Sequence, residues 1–241
     1  LGRMRSVIWL MCALLGMPML AQGPYWAHAV GGLGPDQVVD VVCDAAGDIY
    51  ATGEFSNSFT FDGQTVVAQG ATDAVVLKVN SSGDLQWMVR AGGTDLDRGV
   101  SISVRNGAVA VTGHYTGTAD LFGTTFTSQG GTMDAFVAQL DAQTGAVQWV
   151  RSGGGALYSD RSAGVALAGN GDVLVTGEFK GTALFDALSL TSMIDPLTLL
   201  PSFDVFVASY STTGTLQWLQ QGAAPHDDKG VAIAADATGA V

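Results

Sequence analysis

The chain has few of the residues that build helices or covalent cross-links. Its 22 acidic residues include only two glutamates, Glu54 and Glu178, and lysine is almost as scarce. Glutamate and lysine favour helices, whereas aspartate favours turns. Only two of the 241 residues are cysteine, Cys12 and Cys43. The composition therefore predicts an all-β protein that does not depend on disulfides.

The N-terminal residues differ in character from the rest. Arg3 and Arg5 precede an apolar run over residues 7–20, and small or polar residues follow from Ala21. This order is typical of a secretory signal peptide, which we place at residues 1–22. The run is shorter than the roughly 20 apolar residues of a membrane helix, so an uncleaved anchor is the weaker alternative. The sequence predicts a secreted or cell-surface protein, or a periplasmic one, with no membrane span after cleavage.

Removal of the signal peptide makes an acidic chain more acidic. The formal net charge of −12 becomes −14 when Arg3 and Arg5 are lost. Such a surface repels nucleic acid, so no nucleic-acid partner is expected. Cys43 is then the remaining cysteine, and its apolar strand predicts a buried small hydrophobic residue.

A repeat of about 60 residues dominates the region 23–241. Four tryptophans recur at nearly even spacing, and three of them end a Gly-x-x-Gln-Trp segment: Trp26, Trp87, Trp149 and Trp218. The tetrapeptide Thr-Gly-Glu-Phe at 52–55 returns at 176–179, and as Thr-Gly-His-Tyr at 112–115. These recurring segments divide the chain into copies at about 26–86, 87–148, 149–217 and an incomplete 218–241.

Each copy predicts four short strands. In the first copy these are residues 38–43, 49–55, 59–67 and 74–79, which are rich in Val, Ile, Phe and Thr between turn residues. The third of them is expected to turn through Asp62-Gly63. A four-stranded unit at this period predicts a β-propeller blade, with a tryptophan packed between blades. About three and a half blades are fewer than the roughly 4–8 of a ring. We therefore expect a fragment of a larger propeller, whose partners include missing blades of the same chain.

Several of these sequence segments resemble those of a known family. The segment 44–55, then Phe61-Asp62-Gly63, then 134–140, looks like the bacterial β-propeller repeats abbreviated SBBP. That resemblance implies an exported bacterial protein, often multidomain, without an established common activity. The segment 138–149 is similar, more weakly, to the tryptophan-docking motif of quinoprotein propellers. Those enzymes use pyrroloquinoline quinone and a metal ion, but no cofactor-binding residue can be carried over to this chain.

A recurring aspartate is the best candidate for chemistry. It lies in the loop before the first strand of each copy, at Asp36, Asp97, Asp160 and Asp228. A circle of carboxylates would suit Ca²⁺ or a cationic ligand. The alternative is that each aspartate caps amides of its own loop. A basic residue directly follows three of the four, which favours capping and local ion pairing: Arg98, Arg161 and Lys229. No cofactor is predicted, and Ca²⁺ is kept as the weaker alternative.

No catalytic set can be nominated. The three histidines occupy different repeat positions without a His or Cys at ligand spacing: His28, His114 and His226. His114 stands where the other copies have glutamate, and we expect a surface role for it. The connection 193–203 lengthens the third copy with apolar residues, and either contacts a partner or folds back on a neighbouring blade or on missing sequence.

The sequence predicts an exported, non-enzymatic binding or scaffold module for a protein or glycan. One alternative is a propeller enzyme, whether hydrolase, lyase or quinoprotein, with its active site in the central channel or in the missing part. The other is a structural spacer in a long adhesin-like protein.

Overall fold

A computed structural model describes residues 29–236. The predicted signal peptide 1–22, Trp26 and His28 lie outside this range. The prediction of an all-β chain is confirmed, since the described residues form strands and one 3₁₀ turn, Gln129–Gly131. The strands are β1 Asp36–Cys43, β2 Ile49–Phe55, β3 Ser58–Phe61, β4 Gln64–Val67, β5 Asp73–Val79, β6 Leu85–Gly93, β7 Arg98–Arg105, β8 Ala108–Thr116, β9 Thr118–Leu121, β10 Thr124–Thr127, β11 Met133–Asp141, β12 Val147–Gly154, β13 Arg161–Leu167, β14 Val173–Lys180, β15 Thr182–Phe185, β16 Leu188–Thr191, β17 Phe203–Tyr210 and β18 Leu216–Gly222.

The strands form three antiparallel four-stranded sheets of the same order. The first sheet is β1-β2-β5-β6, the second is β7-β8-β11-β12, and the third is β13-β14-β17-β18. The hairpin β9-β10 adds to the edge of the first sheet through β6, and β15-β16 adds to the second through β12. Each hairpin therefore joins a sheet to the one before it, and the sheets stay open within residues 29–236.

The prediction that residues 59–67 form the third strand of the sheet was wrong, although the turn predicted at Asp62-Gly63 is present. Asp62 and Gly63 both have positive φ, at 49° and 79°. A two-residue turn of this kind reverses the chain, so the segment becomes the separate hairpin β3-β4. The fourth strand of the sheet is instead the one that carries Trp87, which pairs with β5.

The tryptophans pack one sheet on the next, as predicted for Trp87 and Trp149. Trp87, in the first sheet, donates its indole N–H to the carbonyl of Ala142 in the second, at 3.2 Å. Trp149, in the second sheet, donates in the same way to Thr212 in the third, at 3.1 Å. Both side chains are buried. Burial of each indole therefore depends on the neighbouring sheet.

The first strands of the three sheets lie side by side. Asp40 on β1 accepts hydrogen bonds from the Ser101 hydroxyl at 3.0 Å and the Ile102 amide at 2.9 Å on β7. Ser103 on β7 accepts the Leu167 amide of β13 at 3.1 Å. Residues 229–236 continue the series along β13, close to the backbone of Gly164. This arrangement brings β1, β7 and β13 together.

Cys43 is exposed, so the prediction of a buried cysteine was wrong. Its equivalent in the third sheet, Leu167, is buried against the preceding sheet. No described residues cover β1 on that side, and Val41 is 60% exposed there as well. An apolar strand is therefore insufficient for burial when no neighbouring sheet covers it.

Candidate functional site

The recurring loop aspartates cap amides of their own loops, as the capping alternative predicted. Asp97 accepts the amides of Gly93 at 2.6 Å and Thr116 at 3.2 Å. Asp160 accepts the equivalent amides of Gly155 at 2.6 Å and Lys180 at 2.9 Å. Asp36 and Asp228 each accept an amide four residues earlier in the chain. Their carboxylates hold the loops between consecutive sheets.

Burial changes the acidity of the two central loop aspartates. Both side chains are inaccessible to solvent. Burial raises the pKa of Asp97 to about 6 and that of Asp160 to about 7, although the amide donors act in the opposite direction. Within residues 29–236, no three His, Cys, Asp or Glu side chains are grouped so that they could hold a metal ion.

The basic residues that follow these aspartates form ion pairs, as predicted. Arg98 lies 3.2 Å from Glu54, which belongs to the preceding sheet. Arg161 lies 3.4 Å from Glu178, its partner across β13 and β14. Lys229 reaches the same Glu178 at 3.9 Å. The alternation of cations and carboxylates therefore runs across the starts of β7 and β13.

His114 interrupts this alternation. It occupies the position of Glu54 and Glu178, and it pairs with Arg98 across β7 and β8. Its Nδ1 is buried and has no hydrogen-bond partner in the described part of the chain. Burial, together with the guanidinium groups of Arg161 and Arg98, lowers the pKa of His114 to about 4. The imidazole is therefore neutral at neutral pH.

A cavity of about 340 Å³ opens beside His114. Its lining includes three cations and one carboxylate, Arg98, Arg161, Lys229 and Glu178. The excess of positive charge contrasts with the net charge of −12 on the whole chain. Chemically, the arrangement can bind a carboxylate or phosphate group through guanidinium hydrogen bonds. The exchange of glutamate for histidine was the sequence signal, but the surface role expected for His114 missed this half-buried position.

The connection 193–203 keeps its leucines exposed. Ile194 bridges to Pro201, and the Asp195 amide donates to the Leu200 carbonyl at 2.9 Å, so the segment closes on itself. The side chains of Leu197 and Leu199 are 82% and 76% exposed. This exposure is compatible with contact with a partner and with cover by residues outside 29–236.

Comparison with known proteins gives one partial similarity. No protein-family profile matches the chain. The regulatory protein FlaEY of Caulobacter vibrioides is 34% identical over 148 residues, which cover 58% of this chain. The match covers 15% of that protein's own length. Among residues 29–236, no helix has the length and apolar content needed to cross a membrane.

Proposed function

We propose that the chain is an exported, non-enzymatic β-propeller module that binds a protein or glycan at the cell surface or outside the cell. The propeller architecture is supported by the repeated sheet order, by the adjacent first strands and by the hairpins that join consecutive sheets. Export is supported by the basic and apolar pattern of residues 1–22. FlaEY, which is similar to part of the chain, is named as a regulatory protein, in agreement with a role in recognition.

The hydrogen bonding of the recurring aspartates is the observation that supports this proposal most. A general acid or base must be able to reach the proton that it transfers. The loop aspartates that recur in every sheet are instead bonded to backbone amides, as at Asp97 and Asp160. Asp204 likewise accepts the Met193 amide at 2.8 Å and the Ser202 hydroxyl at 3.1 Å. Residues with these bonds serve to hold loops in place.

The positions at which one sheet differs from the others provide the distinct side chains that a specific binding site needs. The second sheet has His114-Tyr115 where the other two have Glu-Phe, and Ser152 where they have Arg90 and Gln221. His114 lines the cationic cavity, and Tyr115 and Ser152 line another cavity. A set of identical sheets offers no unique site, whereas these substitutions distinguish one sheet from its neighbours.

The test separates export from binding. The full chain and a version without residues 1–22 are produced in a bacterial host, and the cells are fractionated. We expect only the full chain to leave the cytoplasm, shortened at its N-terminus. The exported product is then applied to arrays of bacterial surface glycans and of peptides. Retention of the full chain in the cytoplasm would refute export, and a product that binds neither array would refute the binding role.

A further inference from the structure

Each sheet has a buried aspartate at or next to the start of its third strand. These residues are Asp73, Asp134 and Asp204, and each is at most 2% exposed. In every case Oδ2 accepts a backbone amide from the segment that follows the hairpin. The three carboxylates therefore have the same position and the same backbone hydrogen bond in their sheets, so their side-chain partners can be compared directly.

The first and third sheets give this carboxylate a second partner. It is the side chain three residues after the tryptophan. Arg90 forms an ion pair with Oδ2 of Asp73, and Gln221 donates to Oδ2 of Asp204 at 2.6 Å. A buried carboxylate is stabilised by such a donor. The pattern defines the place where a nitrogen donor belongs.

The second sheet lacks this donor. The equivalent residue is Ser152, whose hydroxyl lies 2.7 Å from that of Tyr115. Among the described residues, Asp134 accepts a single hydrogen bond, from the Gln129 amide to Oδ2 at 2.9 Å. Its Oδ1 is buried without a partner, as Oδ1 of Asp73 also is, so the difference between the sheets is the absent side-chain donor to Oδ2. Asp134 thus has the surroundings of Asp73 without the guanidinium.

A cavity of about 730 Å³ occupies this side of the second sheet. We call it the Asp134 groove, and its lining includes Asp134, Gln129, Ser152, Tyr115, Phe126 and Trp149. Arg151 and Asp186 also line it, so its charged side chains sum to one negative charge. The Arg151 guanidinium is 6.0 Å from the centre of the Trp149 ring, and its Nη1 donates to the Val150 carbonyl at 2.6 Å.

A carboxylate next to aromatic rings is suited to a guanidinium group. The planar cation donates to the carboxylate and stacks on the rings, which an ammonium does less well. We propose that the Asp134 groove binds an arginine side chain of a partner protein, with Asp134 as its counter-ion. Arg90 shows within the same chain that a guanidinium fits beside this carboxylate. The inference deepens the proposed binding function and rests on it.

The probe is N-acetyl-arginine amide, added to the mature full chain and followed by calorimetry and NMR. N-acetyl-citrulline amide has nearly the same shape and no charge. We expect the arginine probe to bind at least tenfold more tightly and to shift the resonances of Trp149. Equal binding of the two probes, or no binding of either, would overturn the proposal.

Variants at Ser152 locate the binding. Ser152→Arg should fill the groove with the chain's own guanidinium, as Arg90 does in the first sheet, and should lower the affinity at least tenfold. Gln221→Arg introduces the same side chain at the equivalent position of the third sheet, outside the Asp134 groove, so this variant should bind as the unaltered chain does. If Ser152→Arg does not fold, Asp134→Asn provides the test and should also lose binding. Unchanged affinity in the folded variant would refute the assignment. Export and array binding that persist without arginine binding would leave the proposed function standing.

Discussion

The contact between Trp149 and Gly214 allows the packing between sheets to be measured. Gly214 has φ of +76°, and a Cβ added there would lie 2.7 Å from the indole of Trp149. Gly107 has nearly the same φ, +79°, but a Cβ there would meet nothing within 4 Å. Alanine at either position has the same backbone strain, and only alanine at 214 also displaces the indole.

The expected losses follow from these two terms. Left-handed backbone strain in alanine costs about 1–2 kcal/mol, so Gly107→Ala should lower the free energy of unfolding by that amount. Overpacking adds about 1–3 kcal/mol, so Gly214→Ala should cost about 2–5 kcal/mol in total. Urea unfolding followed by far-ultraviolet circular dichroism measures both.

A double variant isolates the indole. With Trp149→Ala as background, no ring remains for a Cβ at 214 to displace. Gly214→Ala should then cost no more than Gly107→Ala, because the coupling between neighbouring residues is lost. If the two glycine variants are equally destabilised with Trp149 present, the indole does not pack on the third sheet in solution.

Three further predictions concern single positions. The pKa of Asp160 is raised in the folded state to about 7, so its protonation favours folding. The free energy of unfolding should therefore fall as the pH rises from about 4 to about 7, by up to about 1.4 kcal/mol per pH unit. Urea unfolding at pH 5 and pH 8 measures this change, and Asp160→Asn should reduce it. Cys43 is exposed, so a thiol reagent should modify it fully in the folded chain without residues 1–22, and a requirement for denaturant would contradict the exposure. His114→Glu should give Arg98 and Arg161 a carboxylate and raise the free energy of unfolding by up to about 1 kcal/mol. A melting curve detects this gain, and an unchanged or lower free energy of unfolding would argue against the cationic surroundings of His114.

The local pattern of the sequence determined three of the four strands of the first sheet and the loop caps, but not β6. Alternating apolar residues and turn signals located the strands found at Ile49–Phe55 and Asp73–Val79 to within a residue. The spacing of Asp97 and Asp160 from their tryptophans, with a basic residue following each, predicted amide capping and ion pairing. These features depend on residues close in sequence or equivalent in the repeat, so one chain is enough to read them.

Tertiary structure alone decided which residues are covered and which are left without a partner. Cys43 lies in an apolar strand like its buried equivalent Leu167, but its exposure depends on whether another sheet packs on β1. The exchanges at His114 and Ser152 were visible in the repeats, yet their meaning depends on contacts that only the folded chain creates. The guanidinium groups beside His114 come from different sheets. Ser152, which stands where the other sheets have a donor to the aspartate, is 18 residues from Asp134 in sequence and lies on the adjacent strand. Such long-range contacts follow from the packing of whole sheets, which no local pattern in the sequence encodes.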